Sequence, residues 1–326
     1  MSGADAACRG DDLLARLAAE DPAAHQAIIE EGKTVLNGEA RLWRVAAPSG
    51  AVSHLFGTYH DTGVFDRLSP AMHEAFASAE RLVVELAPDE VAALERRVAS
   101  DPTFSLRASP LPAGQGLAAQ LSAAERPAAE AALAARGLTL QVADRLAPWL
   151  LVSALGVPAC ELTSMAAGGQ VLDTRLMQMA ADRGVPVLGL ESYVAALDAI
   201  AAIPDAAITD LLVDALRLAR HEEDIRATLT ALYAEGRIGT LSAAIDAFGR
   251  RLSGRTGAEA ERLAEAFDSA VLERRNREWM PALLNALDSG GTFVAVGALH
   301  LPGEIGLVRL LRQQGYTVAP ISEVDP

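Results

Sequence analysis

Two short aliphatic runs, VSHLFG at residues 52 to 57 and TFVAVG at residues 292 to 297, constrain this chain's fold more than any other feature. Each ends in a glycine, and a histidine follows three residues later, His60 after the first and His300 after the second. The same order of elements surrounds both: strand, Gly-x-x-His loop, helix, strand. In the first unit Ser69 and Pro70 supply the cap and first-turn residue of a helix through PAMHEAFASA, and RLVVELA follows as a short buried strand. In the last unit the helix is GEIGLVRLLRQQG and the strand YTVAPI. Strands that alternate with helices in this way predict an α/β fold, a mixed central β-sheet flanked by helices. Strands that end in polar residues put a site at their ends, where open α/β sheets place one.

The remaining segments read as helix around that sheet. Residues 1 to 40 predict a short helical leader (DDLLARLA, then AAHQAIIEEG) that stops at the Asn37-Gly38 turn. RLWRVAA and AVSHLFG, joined by Pro48-Ser49-Gly50, predict a hairpin. From about 90 to 165, alanine and leucine at helical spacing are broken by SPLPAGQG, with one helix expected across LSAAERPAAEAALAARG and one across QVADRLAPWLLVSALG. That stretch is a large helical insert or lid. VLDTRLMQMAADRG followed by VPVLGLES is a helix-to-strand unit that leaves Glu191 just beyond the strand. A helical segment fills about 193 to 287, with one long helix through AEAERLAEAFDSAVLERRNREWMPALLNAL. Residues 41 to 326 are thus expected to form a single domain.

Composition excludes some functions. The chain is 51% hydrophobic, ample for a core, yet only 4% aromatic, which favours closely packed helices with small side chains. A formal charge of -15 opposes binding to phosphate backbones, and no basic patch interleaved with aromatics is present, so nucleic acid is not an expected partner. No run of apolar residues is long enough to span a bilayer. The first residues, MSGADAACRGDDLL, carry neither a basic nor an apolar signal region, so a secretory signal is either absent or already removed. The two cysteines, Cys8 and Cys160, are too few and too far apart for a zinc knuckle and form either free thiols or one long-range disulfide.

Six histidines and 26 glycines produce roughly half a Gly-x-x-His match by chance. Two matches become meaningful through their setting, because a glycine at a strand end permits a sharp turn or a close backbone approach that aims the imidazole into the crevice. Glu85 in RLVVELA is a carboxylate in an apolar strand, either facing water at an edge or buried beside a cation or metal. Aligned on the last unit it falls opposite Pro320, so the paired units are asymmetric at the acid and suggest one shared site. His60, His300 and Glu85 together suit a divalent first-row metal, Mn, Co, Fe or Zn, with open positions for water. Glu191 is either a further ligand or general base, or an acid at the start of the helix YVAALDAI. Leu272, Asn276, Trp279, Leu283 and Leu287 form a helical seam that Asn276 interrupts, with Arg275 beside it. Arg275 could hold a carboxylate or an oxyanion and Asn276 could donate a hydrogen bond, or both brace the helix. His73-Glu74 and His221-Glu222 lack the second histidine of a zincin, and His25, His54, His73 and His221 read as surface or structural residues.

LFGTYH, LSPAMHEAFASAERLVVEL, VLGLES, RRNREW and VAVGALHLPGEIGLVRLLRQQGYTV, in this order and spacing, resemble the TraB/GumN (TIKI-like) family across nearly all of residues 41 to 321. The resemblance implies a TIKI/erythromycin-esterase/ChaN-like fold and a divalent-metal-dependent hydrolase, most simply a metallopeptidase acting on a peptide or protein. Carried over by position, it makes His60, Glu85 and His300 the metal site, with Glu85, Glu191, Arg275 and Asn276 as the catalytic set. It also implies an exported, periplasmic protein if a signal has been removed, and a cytoplasmic one otherwise. A chain that begins at the mature end would explain both the missing signal and the cysteine pair. One departure is Asp61, directly after the first histidine, where relatives more often carry an apolar residue: an extra ligand or a turn residue. A non-catalytic protein that sequesters a peptide or small ligand on the same scaffold is the competing reading.

Overall fold

A computed structural model describes residues 8–107 and 116–323. Their strands are β1 (Leu42–Ala46), β2 (Val52–Thr58), β3 (Arg81–Val84), β4 (Val187–Gly189), β5 (Thr292–Gly297) and β6 (Thr317–Pro320), joined in one sheet in the order β4-β3-β5-β2-β1-β6. β1 and β2 form the expected hairpin, Leu42 opposite Phe56 and Ala46 opposite Val52. The β2–β5, β5–β3 and β3–β4 pairs are parallel, whereas β1 runs antiparallel to both of its neighbours. The sheet is therefore mixed. Its centre is the parallel pair β2 and β5, which sets Gly57 opposite Val296 and Thr58 opposite Gly297. Both Gly-x-x-His elements consequently leave the same end of the sheet side by side.

Alternation along each strand divides the core in two, as a period of two residues requires. Leu42, Phe56, Leu82 and Phe293 face one layer, which includes Leu13, Leu14 and Ile28 of the N-terminal helices Leu13–Glu20 and Pro22–Thr34. Trp43, Leu55, Val83 and Val294 face the other, against Trp279 and Leu283 of the helix Arg274–Asp288 and Leu307 of the helix Leu307–Gln313. Full burial of each such side chain stabilises the fold by about 1.5 to 3 kcal/mol. The insert has a core of its own, in which Leu117, Leu133 and Leu151 pack on Leu212 and Leu216 of the helix Asp205–Leu218.

Several boundaries differ from the sequence expectation. Glu85 is not within a strand, since β3 stops one residue before it. The helix expected across QVADRLAPWLLVSALG is broken into Leu140–Ala143 and Pro148–Gly156. Proline excludes helical backbone at the residue before it, and Ala147 is accordingly extended, with its N–H donating to Ser105 O at 2.8 Å. In the preceding segment the helix covers only Arg126–Ala134 because Pro127 sits in its first turn. The long helix through residue 287 is present, but residues Asp268–Glu273 within it form a π-helical stretch. Of SPLPAGQG, residues 109 to 115 lie outside the described residues. Among the described residues no single helix is long and apolar enough to cross a membrane.

Cys8 and Cys160 form a disulfide, which closes the alternative of free thiols. It fastens the chain ahead of the first helix to the helix Ala159–Ala166, and Leu13 N–H continues the attachment by donating to Thr228 Oγ at 2.7 Å. Replacing both cysteines by serine should lower the unfolding free energy by about 2 to 5 kcal/mol in urea titrations. An unchanged midpoint would show that this crosslink does not hold the N-terminal segment in place.

Candidate functional site

Each motif glycine allows another part of the site to come close. A β-carbon on Gly57 would lie 2.8 Å from Ala298 Cα, so the first Gly-x-x-His element needs glycine to accommodate the turn of the second. A β-carbon on Gly297 would lie 3.3 Å from Glu85 Oε1, and the Gly297 N–H donates to that same oxygen at 2.7 Å. The two motifs thus interlock through backbone, and the carboxylate at the end of β3 is clamped beside them.

Arg275 is the centre of the cluster. Its Nη2 donates to Glu85 Oε2 at 2.6 Å and also to Glu191 Oε1, and Nε donates to Glu191 Oε1 at 3.1 Å. Trp279 Nε1–H donates to the other Glu191 oxygen at 3.0 Å, and its ring lies under the guanidinium, 4.6 Å from centroid to Cζ. The first turn of the helix Arg274–Asp288 therefore carries the cation inward, and the strand ends of β3 and β4 carry the two carboxylates to meet it. Glu191 stands directly before Ser192, the cap of the helix Tyr193–Ala201, and its carboxylate is turned to Arg275 and Trp279.

Asn276 fixes the second histidine. Its amide N–H groups donate to His300 O at 3.1 Å and Ile305 O at 2.8 Å, which leaves Oδ1 to accept from His300 Nδ1–H at 2.7 Å. The tautomer follows: the proton is on Nδ1, and the Nε2 lone pair faces Arg275 Nη1 at 3.3 Å, with Glu85 Oε1 at 3.8 Å. Burial lowers the His300 pKa to about 4, with Arg275 and His60 adding to the effect against Glu85. Burial acts to raise Glu85, yet His300, Arg275 and the Gly297 N–H outweigh it and hold the carboxyl at about 2. At neutral pH Glu85 is ionised and His300 neutral.

His60 is held differently. Its Nδ1–H donates to Asp173 Oδ2 at 2.9 Å, and Thr58 Oγ–H donates to Asp173 Oδ1 at 2.7 Å. The Asp173 charge raises the His60 pKa to about 9 against the opposing effect of the surrounding protein. Although the ring lines the cavity, the side chain keeps 66% of its surface open, so solvent screens this pair. Asp173, in the first turn of the helix Leu172–Asp182, carries no sequence signal beyond an acid near a helix start.

These residues occupy one end of a cavity of about 490 Å³ that His60, Glu85, Arg275 and His300 all line. Asp61 also lines it and is a turn residue, its carboxylate bonding the backbone two residues on. It accepts from Gly63 N–H at 2.7 Å and pairs with Arg226 at 2.8 Å. Glu161 joins that pair, 2.6 Å from Arg226, and accepts from Thr62 N–H at 3.0 Å. Sequence reading missed this second network, since its members are far apart in the chain. His25, His54, His73 and His221 take no part in either network.

Among the described residues no group of three or more His, Cys, Asp and Glu lies as a ready metal cage. His60, Glu85 and His300 are brought together around one end of the cavity, and Glu85 is held by Arg275. Comparison with family profiles places residues 41–320 in the TraB/PrgY/gumN family, and the chain belongs to it. Comparison with curated protein sequences finds no match.

The Asp173 anchor has a measurable sign. A histidine pKa raised in the folded state adds stability that is complete below about 6.5 and disappears as the pH rises through about 9. NMR titration of the His60 ring should place its midpoint well above the usual histidine value, and Asp173→Asn should return it towards 6.5. Equal midpoints in the two proteins would disprove the anchor. Arg275→Gln leaves Glu85 and Glu191 facing each other without a cation, a loss of about 3 to 5 kcal/mol by chemical denaturation.

Proposed function

Taking membership of the TraB/PrgY/gumN family as the premise, we propose that this protein is a hydrolase that activates water between His60, Glu85 and His300, with a divalent metal ion assisting. The observation that carries the reading is the shared mode of holding the two imidazoles. Each donates its Nδ1–H to an oxygen acceptor, Asp173 or Asn276, which leaves His60 Nε2 towards the cavity and the His300 Nε2 lone pair facing Arg275 Nη1. Ligating and basic histidines are oriented in this way.

Donor type and charge fit a cation. Glu85, Glu191 and Asp173 bring three negative charges to the cluster against the single permanent positive charge of Arg275. His60, His300 and Glu85 would hold the ion, which when bound polarises a carbonyl and lowers the pKa of a water. His60 must lose its proton before its Nε2 can ligate, so binding strengthens as pH rises towards 9. Arg275 keeps Glu191 as its partner when Glu85 is engaged elsewhere, and the Nη2–H released by Glu85 then faces a developing oxyanion. Asn276 holds the His300 lone pair in place throughout. The carbonyl attacked is that of a peptide or an ester. The disulfide supports an oxidising setting such as the periplasm.

Metal analysis of protein purified without chelator, followed by Mn and Co titration, tests the assisting ion. His60→Ala and His300→Ala should each weaken binding by at least about tenfold, since even outer partners of metal ligands contribute that much. Equal, negligible binding in wild type and variants would remove the ion from the mechanism. Digestion of a peptide library and of simple esters tests turnover. Cleavage lost in Glu85→Ala supports the hydrolase, whereas saturable binding without turnover supports a sequestering protein.

A further inference from the structure

Besides its charged groups the cavity is lined by apolar side chains from the helical middle of the chain, among them Leu155, Leu218, Ile225, Ile245, Phe267 and Leu272. These residues lie on the helices Pro148–Gly156, Asp205–Leu218, Glu222–Ala234, Ile238–Ser253 and Gly257–Phe267 and on the π-helical stretch. Helical backbone bonds to itself, so these walls present few N–H or C=O groups to a ligand. The charged groups that also line the cavity are already paired. Arg226 lies between Asp61 and Glu161 as an ion pair rather than in aligned hydrogen bonds, and Glu222 accepts from Arg136 Nη2 at 2.7 Å and from Ala159 N–H at 3.1 Å.

We infer that the protein acts on esters or amides of unbranched alkyl acids, with the acyl chain in this cavity and its carbonyl at the His60, Glu85, Arg275 and His300 end. The inference rests on the hydrolytic reading for its reaction, and on the cavity alone for its ligand. A peptide of the same bulk would bury a donor and an acceptor per residue against walls that offer no partner, at about 1 to 3 kcal/mol for each unpaired group. An alkyl chain incurs no such loss. A volume of about 490 Å³ falls in the range of pockets that enclose a small-molecule ligand. The acidic lining disfavours a free carboxylate, which suits substrate entry as the neutral ester or amide and departure of the ionised product. In the reaction, water adds its oxygen to the acyl carbon and the bond to the leaving oxygen or nitrogen breaks. One proton of the water passes to that leaving group, and the other is lost as the acid ionises.

Two measurements on the whole chain test this. Methyl alkyl ketones of rising length, neutral and not hydrolysable, should bind about threefold to fourfold more tightly per added methylene until the chain fills the cavity. The kcat/KM for acetyl, butyryl and octanoyl p-nitrophenyl esters should rise in the same order. Ala219→Trp, which fills part of the apolar wall, should abolish the preference for octanoyl over acetyl ester in kcat/KM. Length-independent ketone binding in the wild type, or tighter binding of a leucine-rich tripeptide than of methyl octyl ketone, overturns the inference and leaves the hydrolase standing. Length-dependent ketone binding with no turnover of any ester, amide or peptide overturns the hydrolase and leaves the alkyl-chain site standing.

Discussion

The guanidinium of Arg275 is the interaction on which the rest of the site depends. It joins Glu85 at the end of β3 to Glu191 beyond β4 and lies against the His300 imidazole, so three segments distant in sequence share one charge. Without it two carboxylates would be left in a part of the molecule that water scarcely reaches, and repulsion would separate the strand ends. Trp279 completes the arrangement by donating to Glu191 and lying against both the guanidinium and the His300 ring, the latter tilted at 40° with 4.4 Å between centroids. Stability and chemistry are therefore coupled here: the same charge that holds the sheet ends together limits how basic Glu85 and His300 can be.

The two histidines are unequal despite their matching motifs. His300 is buried, neutral and oriented by an amide, while His60 is open to the cavity and biased towards its cationic form by a carboxylate. This division leaves a lone pair beside Arg275 on one ring and a proton on the other. Sequence symmetry thus yields functional asymmetry, because each ring's second nitrogen meets a different partner.

Much of this was legible in the residues. The apolar runs ending in Gly-x-x-His located β2 and β5, and a seam broken by Asn276 identified a helix whose polar side chains turn inward. Local pattern sufficed there because strand and helix periods are properties of neighbouring residues. Asp173 was invisible because its partner, His60, is 113 residues away and only the folded sheet brings them together. The network of Asp61, Glu161 and Arg226 was hidden for the same reason. The break at Pro148 shows the reverse failure: alanine and leucine spacing favoured one helix, and a single steric rule at the preceding residue overrode it.

The π-helical stretch Asp268–Glu273 ends two residues before Arg275, between the helix that contributes Phe267 to the cavity wall and the helix that carries the cation. An α-helix turns about 100° per residue, so a one-residue change in that stretch rotates one helix against the other by more than a quarter of a turn. The segment acts as a coupling between two rotors. Leu272 of that stretch lines the cavity and Val271 O accepts from Arg275 Nη1 at 3.2 Å, so the phasing of the apolar wall and that of the charged cluster are set by the same few residues.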